Sequence, residues 1–523
     1  MAKNRHYVNG MRFLKGKDMT LRLTSSAFAL AAMTMPAFAD VTAEQVWQAW
    51  VDYYQSTGYT VTEGSRDLAG ETLTLRDVVF SFNEPQSGKL TFTVPQIELH
   101  NTGDGKVRTV YADTLSGTFV GPEATDPAEA DDKVEADFSA RLPDNEIVTS
   151  GSVEAMTHEF TYPTLVFNLD RLKSGDTEMT KPLEVSLENN SGTMETVAGD
   201  LKKYTYAMKS EKLGFKGDFK ADAKESFTFD GSVAGLESSG DFASKTGMFG
   251  NDADMNAALK EGLALQGTLK AGAAVTNFAS SMADETGAPQ QMSGKSDAKG
   301  FELSFAMSQD GLVYQGGSDA MTAELQVPQF PFPLSYGIES GTFDIQIPVM
   351  KSDEAQPFKI AYALTNLTLS DEIWNLFDAQ KVLPRDPASL ELDVTGKADV
   401  HADLLDEAAQ EAVESPFMPS QVSLNRLALN LLGAKAEATG ELSAPEGGDI
   451  STPVGTIKAR YENLNGLLDN LGKTGFIPAE QLTGVRMMLA MFAKVDANDP
   501  NVQTTDIEFK EGGAIFANGQ QIQ

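Results

Sequence analysis

The stretch Thr72-Leu73-Thr74-Leu75, running on into Val78-Val79-Phe80-Ser81-Phe82, decides the fold. Apolar and polar residues alternate in it, the period of a β-strand with one buried and one wet face. Asn83-Glu84-Pro85-Gln86-Ser87-Gly88 reads as a turn. The pattern then resumes in Leu90-Thr91-Phe92-Thr93-Val94 and Ile97-Glu98-Leu99. It recurs in Val166-Phe167-Asn168-Leu169, Phe227-Thr228-Phe229, Phe343-Asp344-Ile345-Gln346-Ile347 and Leu390-Glu391-Leu392-Asp393-Val394. Strict alternation favours antiparallel pairing, because only antiparallel sheets commonly leave one face to solvent.

Helical spacing is rarer. Val46, Trp47, Trp50, Val51 and Tyr54 share one face of a helix that Gly58 ends. That face lacks the Lys/Arg border of a membrane-surface anchor, so it predicts core packing. Met255, Leu259 and Leu263 mark a short middle helix. Ser370, with Asp371 and Glu372 behind it, predicts the capped start of a helix that turns Ile373, Trp374 and Phe377 inward. Leu464, Leu467, Leu468 and Leu471 form a stripe. Pro478 opens a further helix with Leu482, Val485, Met488, Leu489 and Phe492 on one side. The chain closes on a strand pair, residues 505–510 and 514–517, turning at Gly512-Gly513. The predicted fold class is mainly β, a β-rich α+β protein. An extended, curved antiparallel sheet carries short amphipathic helices at the start, the middle and the C-terminus, with the functional groove between sheet and helices.

Composition places breaks at residues 121–133, 282–300 and 444–453, which are polar, acidic or Gly-rich, and at Val327-Pro328-Gln329-Phe330-Pro331-Phe332-Pro333, an edge or extended connector. The expected organisation is a leader at 1–39, an N-terminal helix and β-rich region at 40–250, and a second β-rich region with amphipathic helices at 251–523, continuous with the first. One internal repeat is visible. Residues 204–217 and 303–316 align through Ala207/Ala306, Met208/Met307, Leu213/Leu312 and Gly217/Gly316, and each copy reads as a hairpin.

The first 39 residues read as a secretory signal. Basic residues precede the short apolar run Ala27-Phe28-Ala29-Leu30-Ala31-Ala32-Met33, Pro36 breaks it, and Ala37-Phe38-Ala39 offers a cleavage site before Asp40. Met19 is an alternative start that would give a more ordinary signal. The apolar run is well short of the roughly 20 residues that span a bilayer, so no transmembrane segment is expected after signal removal. With no cysteine in the chain there is no lipoprotein anchor, disulfide or thiolate site. A net charge of −34 disfavours nucleic acid and bare anionic headgroups as partners.

Catalytic motifs are not found. His100, His158 and His401 have no metal-ligand spacing. Gly235-Leu236-Glu237-Ser238-Ser239-Gly240 has the wrong spacing for a nucleophile elbow. Gly294-Lys295-Ser296 lacks the upstream glycine of a phosphate loop, since position 289 is Pro. Asp126, Glu129, Asp131 and Asp132 lack the order of a calcium loop and read as a solvated acidic segment. No catalytic, cofactor or metal residue is therefore assigned.

Several stretches together are familiar. Val46-Trp47 through Tyr53-Tyr54, Phe330-Pro331-Phe332-Pro333 with Gln356-Pro357-Phe358, and Arg486-Met487-Met488-Leu489-Ala490-Met491-Phe492 with Asn518-Gly519-Gln520 contribute. Residues 367–374, Leu-Thr-Leu-Ser-Asp-Glu-Ile-Trp, followed by Leu383-Pro384-Arg385-Asp386-Pro387, contribute most. The chain resembles an uncharacterised Gram-negative envelope family, domain of unknown function 2125, over most of residues 40–523. The resemblance implies an exported protein and brings no activity. The closing segments also look loosely like large β-rich envelope proteins linked to lipid traffic. The expected function is that of a soluble periplasmic protein, not an enzyme, binding a hydrophobic or amphipathic envelope molecule on a large β surface, for which 29 Phe and 20 Met supply material. The alternatives are an assembly factor that binds another envelope protein and, third, a carboxylate-dependent hydrolase.

Overall fold

A computed structural model describes residues 40–84, 88–122, 133–220, 225–245, 248, 254–284, 287–446, 448–475 and 477–523. The signal segment with Ala37 and Ala39, the middle of the 83–88 turn, and Asp126, Glu129, Asp131 and Asp132 lie outside the described residues.

Helix α1 (Ala43–Ser56) leads to two short strands, β1 (Thr60–Thr62) and β2 (Ser65–Ala69), both paired to β3 (Thr72–Glu84). β4 (Gly88–Asn101) follows β3. β5 (Val107–Tyr111) and β6 (Thr114–Val120) lie end to end along β4, and β7 (Val134–Arg141) and β8 (Glu146–Ser152) return along them. Four long strands then pair in sequence: β9 (Ala155–Ser174), β10 (Thr177–Val197), β11 (Lys202–Lys220) and β12 (Ser226–Ser244). After α2 (Met255–Lys260) the rows are split again, into β13 (Ala264–Ala271) with β14 (Ala274–Ala283), β15 (Pro289–Ala298) with β16 (Phe301–Ser308), β17 (Gly311–Ser318) with β18 (Met321–Gln326), and β19 (Leu334–Ile338) with β20 (Ser340–Ile347). β21 (Gln356–Leu369) spans both halves of its row. The remainder is α3 (Asp371–Phe377), β22 (Ala388–Val400), α4 (Glu407–Glu411), β23 (Phe417–Leu431), β24 (Ala434–Ser443), β25 (Val454–Glu462), α5 (Leu464–Thr474), α6 (Ala479–Phe492), β26 (Lys494–Val495), β27 (Val502–Lys510), β28 (Ala514–Ala517) and β29 (Gln520–Gln521). All 29 strands belong to one antiparallel sheet, and the bonds of β12 to β13 and β14 carry it past residue 250.

The split rows have a common cause. In β3 the pairing jumps from Arg76↔Gln96 to Val78↔Val94, leaving Asp77 opposite Pro95, which has no N–H to donate. The same interruption falls at the same height in the rows that follow: residues 142–145 after β7, Pro163 in β9, Asn189 in β10, Glu211 in β11, Gly235 in β12, Gly272-Ala273, Lys299-Gly300, Asp319-Ala320, Glu339 and Asn366. Asp77, Asp144, Asn189, Gly235 and Asn366 have φ between 50° and 61°, values that Asn, Asp and Gly tolerate best. A seam of bulges therefore crosses the sheet. It divides the sheet into a first wall (β5, β8, β13, β16, β17, β20) and a second wall (β6, β7, β14, β15, β18, β19). Bulges bend a strand and sharpen its twist.

Side-chain amides repair the backbone along this line. Asn145 is buried and takes the place of a strand neighbour: its Oδ1 accepts from Tyr111 N at 2.8 Å, and its Nδ2 donates to Tyr111 O and Leu142 O, both at 2.8 Å. Asn190 Nδ2 donates to Tyr162 O at 2.9 Å and Leu187 O at 3.1 Å in the same manner.

Two expectations are corrected. Residues 282–300 are not a loop, because β15 occupies most of them. Of its inward residues Gln290, Met292, Gly294 and Ser296, only Met292 is large and apolar, so its strand character comes from pairing on both sides, with β14 and β18. The two repeat copies are not both hairpins. The second is the β16–β17 hairpin, turning at Gly311 with φ 139°. The first runs straight through as β11, because Ser210-Glu211-Lys212 provides a bulge and no glycine turn.

Replacing Asn145 by Leu strands three backbone groups, Leu142 O buried and Tyr111 N and O partly buried, and each unsatisfied buried group costs on the order of 1–3 kcal/mol. Urea denaturation of Asn145→Leu should show a loss of about 3 kcal/mol or more, whereas Asn425→Ala, at an exposed bulge, should stay within about 1 kcal/mol of wild type.

Candidate functional site

Residues facing each other across antiparallel strands share a face, so the register traces that face along the whole sheet. On the second wall the line runs Phe80, Phe92, Gly117, Phe138, Leu169 and Leu183. It continues through Gly217, Phe229, Phe278, Gly294, Leu325 and Leu334. No member carries a polar side chain. At about 4.8 Å per strand, this line is roughly 50 Å long. On the first wall a parallel line passes through Phe305, Tyr314, Ile345, Ile360 and Val394 and reaches Leu424, Gly440, Ile457 and Ile507.

The opposite face is wet. It carries cross-strand ion pairs such as Lys216–Glu184 (2.8 Å), Lys270–Glu302 (3.1 Å), Lys359–Asp344 (2.7 Å) and Arg426–Glu391 (2.5 Å). In β14 and β15 the inward residues are half-buried and the outward ones mostly exposed. Shielding of the inner face without a covering layer is what bending toward that face produces.

The helices cover only parts of it. α1 seats Val46 and Trp47 on Leu73, Leu75, Ile97 and Leu99. Its aromatic ridge continues inward: Trp50 lies 4.6 Å from the His158 ring, Tyr54 4.5 Å from Phe80, and Tyr53 5.2 Å from Tyr204. Lys202 holds Asp52 of the same helix at 2.9 Å. α2 packs Leu259 with Leu263 and Val349 at the outer strand ends. It is tied there by Asp403, which accepts from Lys260 Nζ (2.7 Å), Asn256 Nδ2 (2.8 Å) and Lys351 N (2.8 Å). Burial alone would raise that carboxyl, but these donors together hold it down at about 2. Between these helices the inner face stays partly open, with Tyr336, Ile360 and Tyr362 41–43% exposed.

The residues singled out in the sequence do not converge. His100 is exposed on β4 with Nδ1 2.9 Å from Thr72 Oγ1, and His401 is exposed beside Ser415 O at 3.0 Å. His158 is buried under α1, with Nδ1 2.8 Å from Thr149 Oγ1. Among the described residues no group of three or more His, Asp or Glu is placed to hold a metal ion. Asp40, beside the expected cleavage point, is exposed. Gly294, noted for its Gly-Lys-Ser context, lies inside β15 facing Phe278. The stretch around Ser370 and Arg385 is scaffolding. Asp378, fully buried, accepts from Val382 N (2.9 Å) and Leu383 N (3.1 Å), and Arg385 pairs with Asp371 and stands 5.4 Å over the Trp374 ring. Sequence reading missed Asp378, which caps the turn four and five residues ahead of it, and the seam asparagines, whose partners Tyr111 and Tyr162 are remote in the chain.

The fold thus defines a class: a long single-sheet protein with a continuous apolar line along its inner face and, among the described residues, no helix long and apolar enough to cross a membrane. The chain belongs to the family described as an uncharacterized protein conserved in bacteria (DUF2125), whose model matches residues 253–517, from the approach to α2 to the end of β28. The α1 motif therefore lies outside the matched span, and the 367–387 stretch lies inside it. No curated protein and no solved structure matches the chain.

Burial pushes the His158 imidazole down to about 4. The unfolded chain takes up that proton near the ordinary value of about 6.5. The stabilisation is therefore complete above about pH 6.5 and is lost as pH falls from there toward 4. Between pH 7 and pH 5 the wild type should lose about 2 kcal/mol more than His158→Gln in parallel urea titrations.

Proposed function

We propose that the protein is an exported, non-catalytic carrier in the cell envelope that holds the hydrocarbon part of a lipid against its inner face. The observation behind this reading is the second-wall line from Phe80 to Leu334, apolar at every strand and, in its middle, covered by no other element among the described residues. A sheet face of this kind normally buries itself against a second layer. Left open, it costs on the order of 25 cal/mol per Å² of apolar surface kept in water. A bound hydrocarbon removes that cost. The signal-like leader supports export, and the negative surface favours a protein free in an aqueous compartment. An assembly role through the sheet edges has less to offer, since β1, β2 and β29 are two to five residues long and present little free ladder.

Residues 40–523 purified without detergent should carry lipid that organic extraction and mass spectrometry detect. Charging the second wall with Tyr336→Lys, on the same face of β19 as Leu334, should remove most of it while leaving the melting temperature nearly unchanged, because the site is already two-fifths exposed. An empty wild-type protein sinks the carrier reading. Export has its own check. Residues 1–60 fused to alkaline phosphatase should yield active enzyme, and Ala39→Lys should leave the leader uncleaved.

A further inference from the structure

On the inner face, phenylalanines stand opposite glycines. In the uncovered middle of the second wall, Phe215 faces Gly231, Phe229 faces Gly217 and Phe278 faces Gly294. A Cβ built on Gly217, Gly231 or Gly294 would lie 2.3, 2.4 or 2.5 Å from the facing ring. Each ring therefore lies down over the glycine backbone. The rings also neighbour one another, Phe215 and Phe229 with centroids 6.1 Å apart. Glycine inside a strand is unfavourable, and a ring laid across it recovers part of the loss. The same opposition occurs where the ring is buried, Phe138 over Gly117 and Phe358 over Gly396. In the uncovered rows its effect is to keep the floor low.

Resting on the carrier reading above, we infer that Gly217, Gly231 and Gly294 set the clearance of the second wall for a long acyl chain lying across the ring faces. The occupant is a hydrocarbon because the line itself is apolar at every strand, the inward hydroxyls of Thr276, Ser280 and Ser296 lying one step to either side of it. Its polar end must then lie elsewhere, at the rim or in water. A β-carbon at any of the three glycines stands the opposite ring up into the space the chain occupies, the situation of an overpacked site.

The test loads residues 40–523 from vesicles of phosphatidylethanolamine and phosphatidylglycerol with palmitoyl chains, or from palmitate, and counts bound molecules by native mass spectrometry. The mass distinguishes a phospholipid from a free fatty acid as the source of the chain. Gly294→Val should lower occupancy by about tenfold. Adding Phe278→Ala to it should restore most of the binding, because the ring that had to move is gone. If Gly294→Val does not fold, Gly294→Ala, with the same clash at one carbon, should show about a threefold loss. A loaded wild type with equally loaded Gly294 variants overturns this assignment and leaves the carrier reading standing, and so does a loss that Phe278→Ala fails to rescue. A wild type that takes up no acyl chain overturns both.

Discussion

One extra residue in a strand turns every later side chain to the opposite face. A sheet built from many rows can therefore keep one apolar face only if its bulges fall at a common height. Here they do. Asp77, Pro95, Pro163, Asn189, Glu211 and Gly235 lie in register, so the inward set changes parity at the same line in the rows from β3 to β21. Leu73 and Leu75 point inward before it, and Val78 and Phe80 after it. Had one row kept its parity, half of its apolar residues would face water and the inner lines would break there.

Given that alignment, the forces are ordinary. Inward pairs such as Phe229 and Phe278 pack across strands, each contributing on the order of 0.2–1 kcal/mol. The outer ion pairs are mostly half-exposed and individually contribute little. Their main effect is to mark one face as the wet one. The compact cores lie under α1, over the first rows of the sheet, and around α2, at the outer strand ends of β13, β16 and β17.

Much of this was legible in the chain. The switch from odd to even apolar positions between Leu75 and Val78 is written in the sequence, as are the helices at 43–56, 464–474 and 479–492. Strand β15 was hidden because Gln290 and Ser296 face inward where an apolar residue would have declared it. The first repeat copy misled because its likeness to β16–β17 lies in side chains, while the difference between a turn and a bulge lies in one glycine. The continuity of the inner face could not be read at all. It depends on which strand neighbours which, and the pairings β13–β16 and β15–β18 skip over intervening strands. The Phe–Gly oppositions vanish from view for the same reason, since Gly217 and Phe229 meet only through the β11–β12 register.

The pairing pattern also bears on how such a chain reaches its final form. Most strands bond to their neighbour in sequence, and the exceptions close within a few dozen residues. Contacts are therefore local along the chain, as in solenoid proteins, where stability is close to a sum of nearest-neighbour terms. A polypeptide emerging N-terminus first can add one row at a time to the edge already formed, beginning on the platform that α1 makes with β3 and β4. Loop-closure entropy stays small at each step. The assembly grows by zippering, and its length is set by the number of rows encoded.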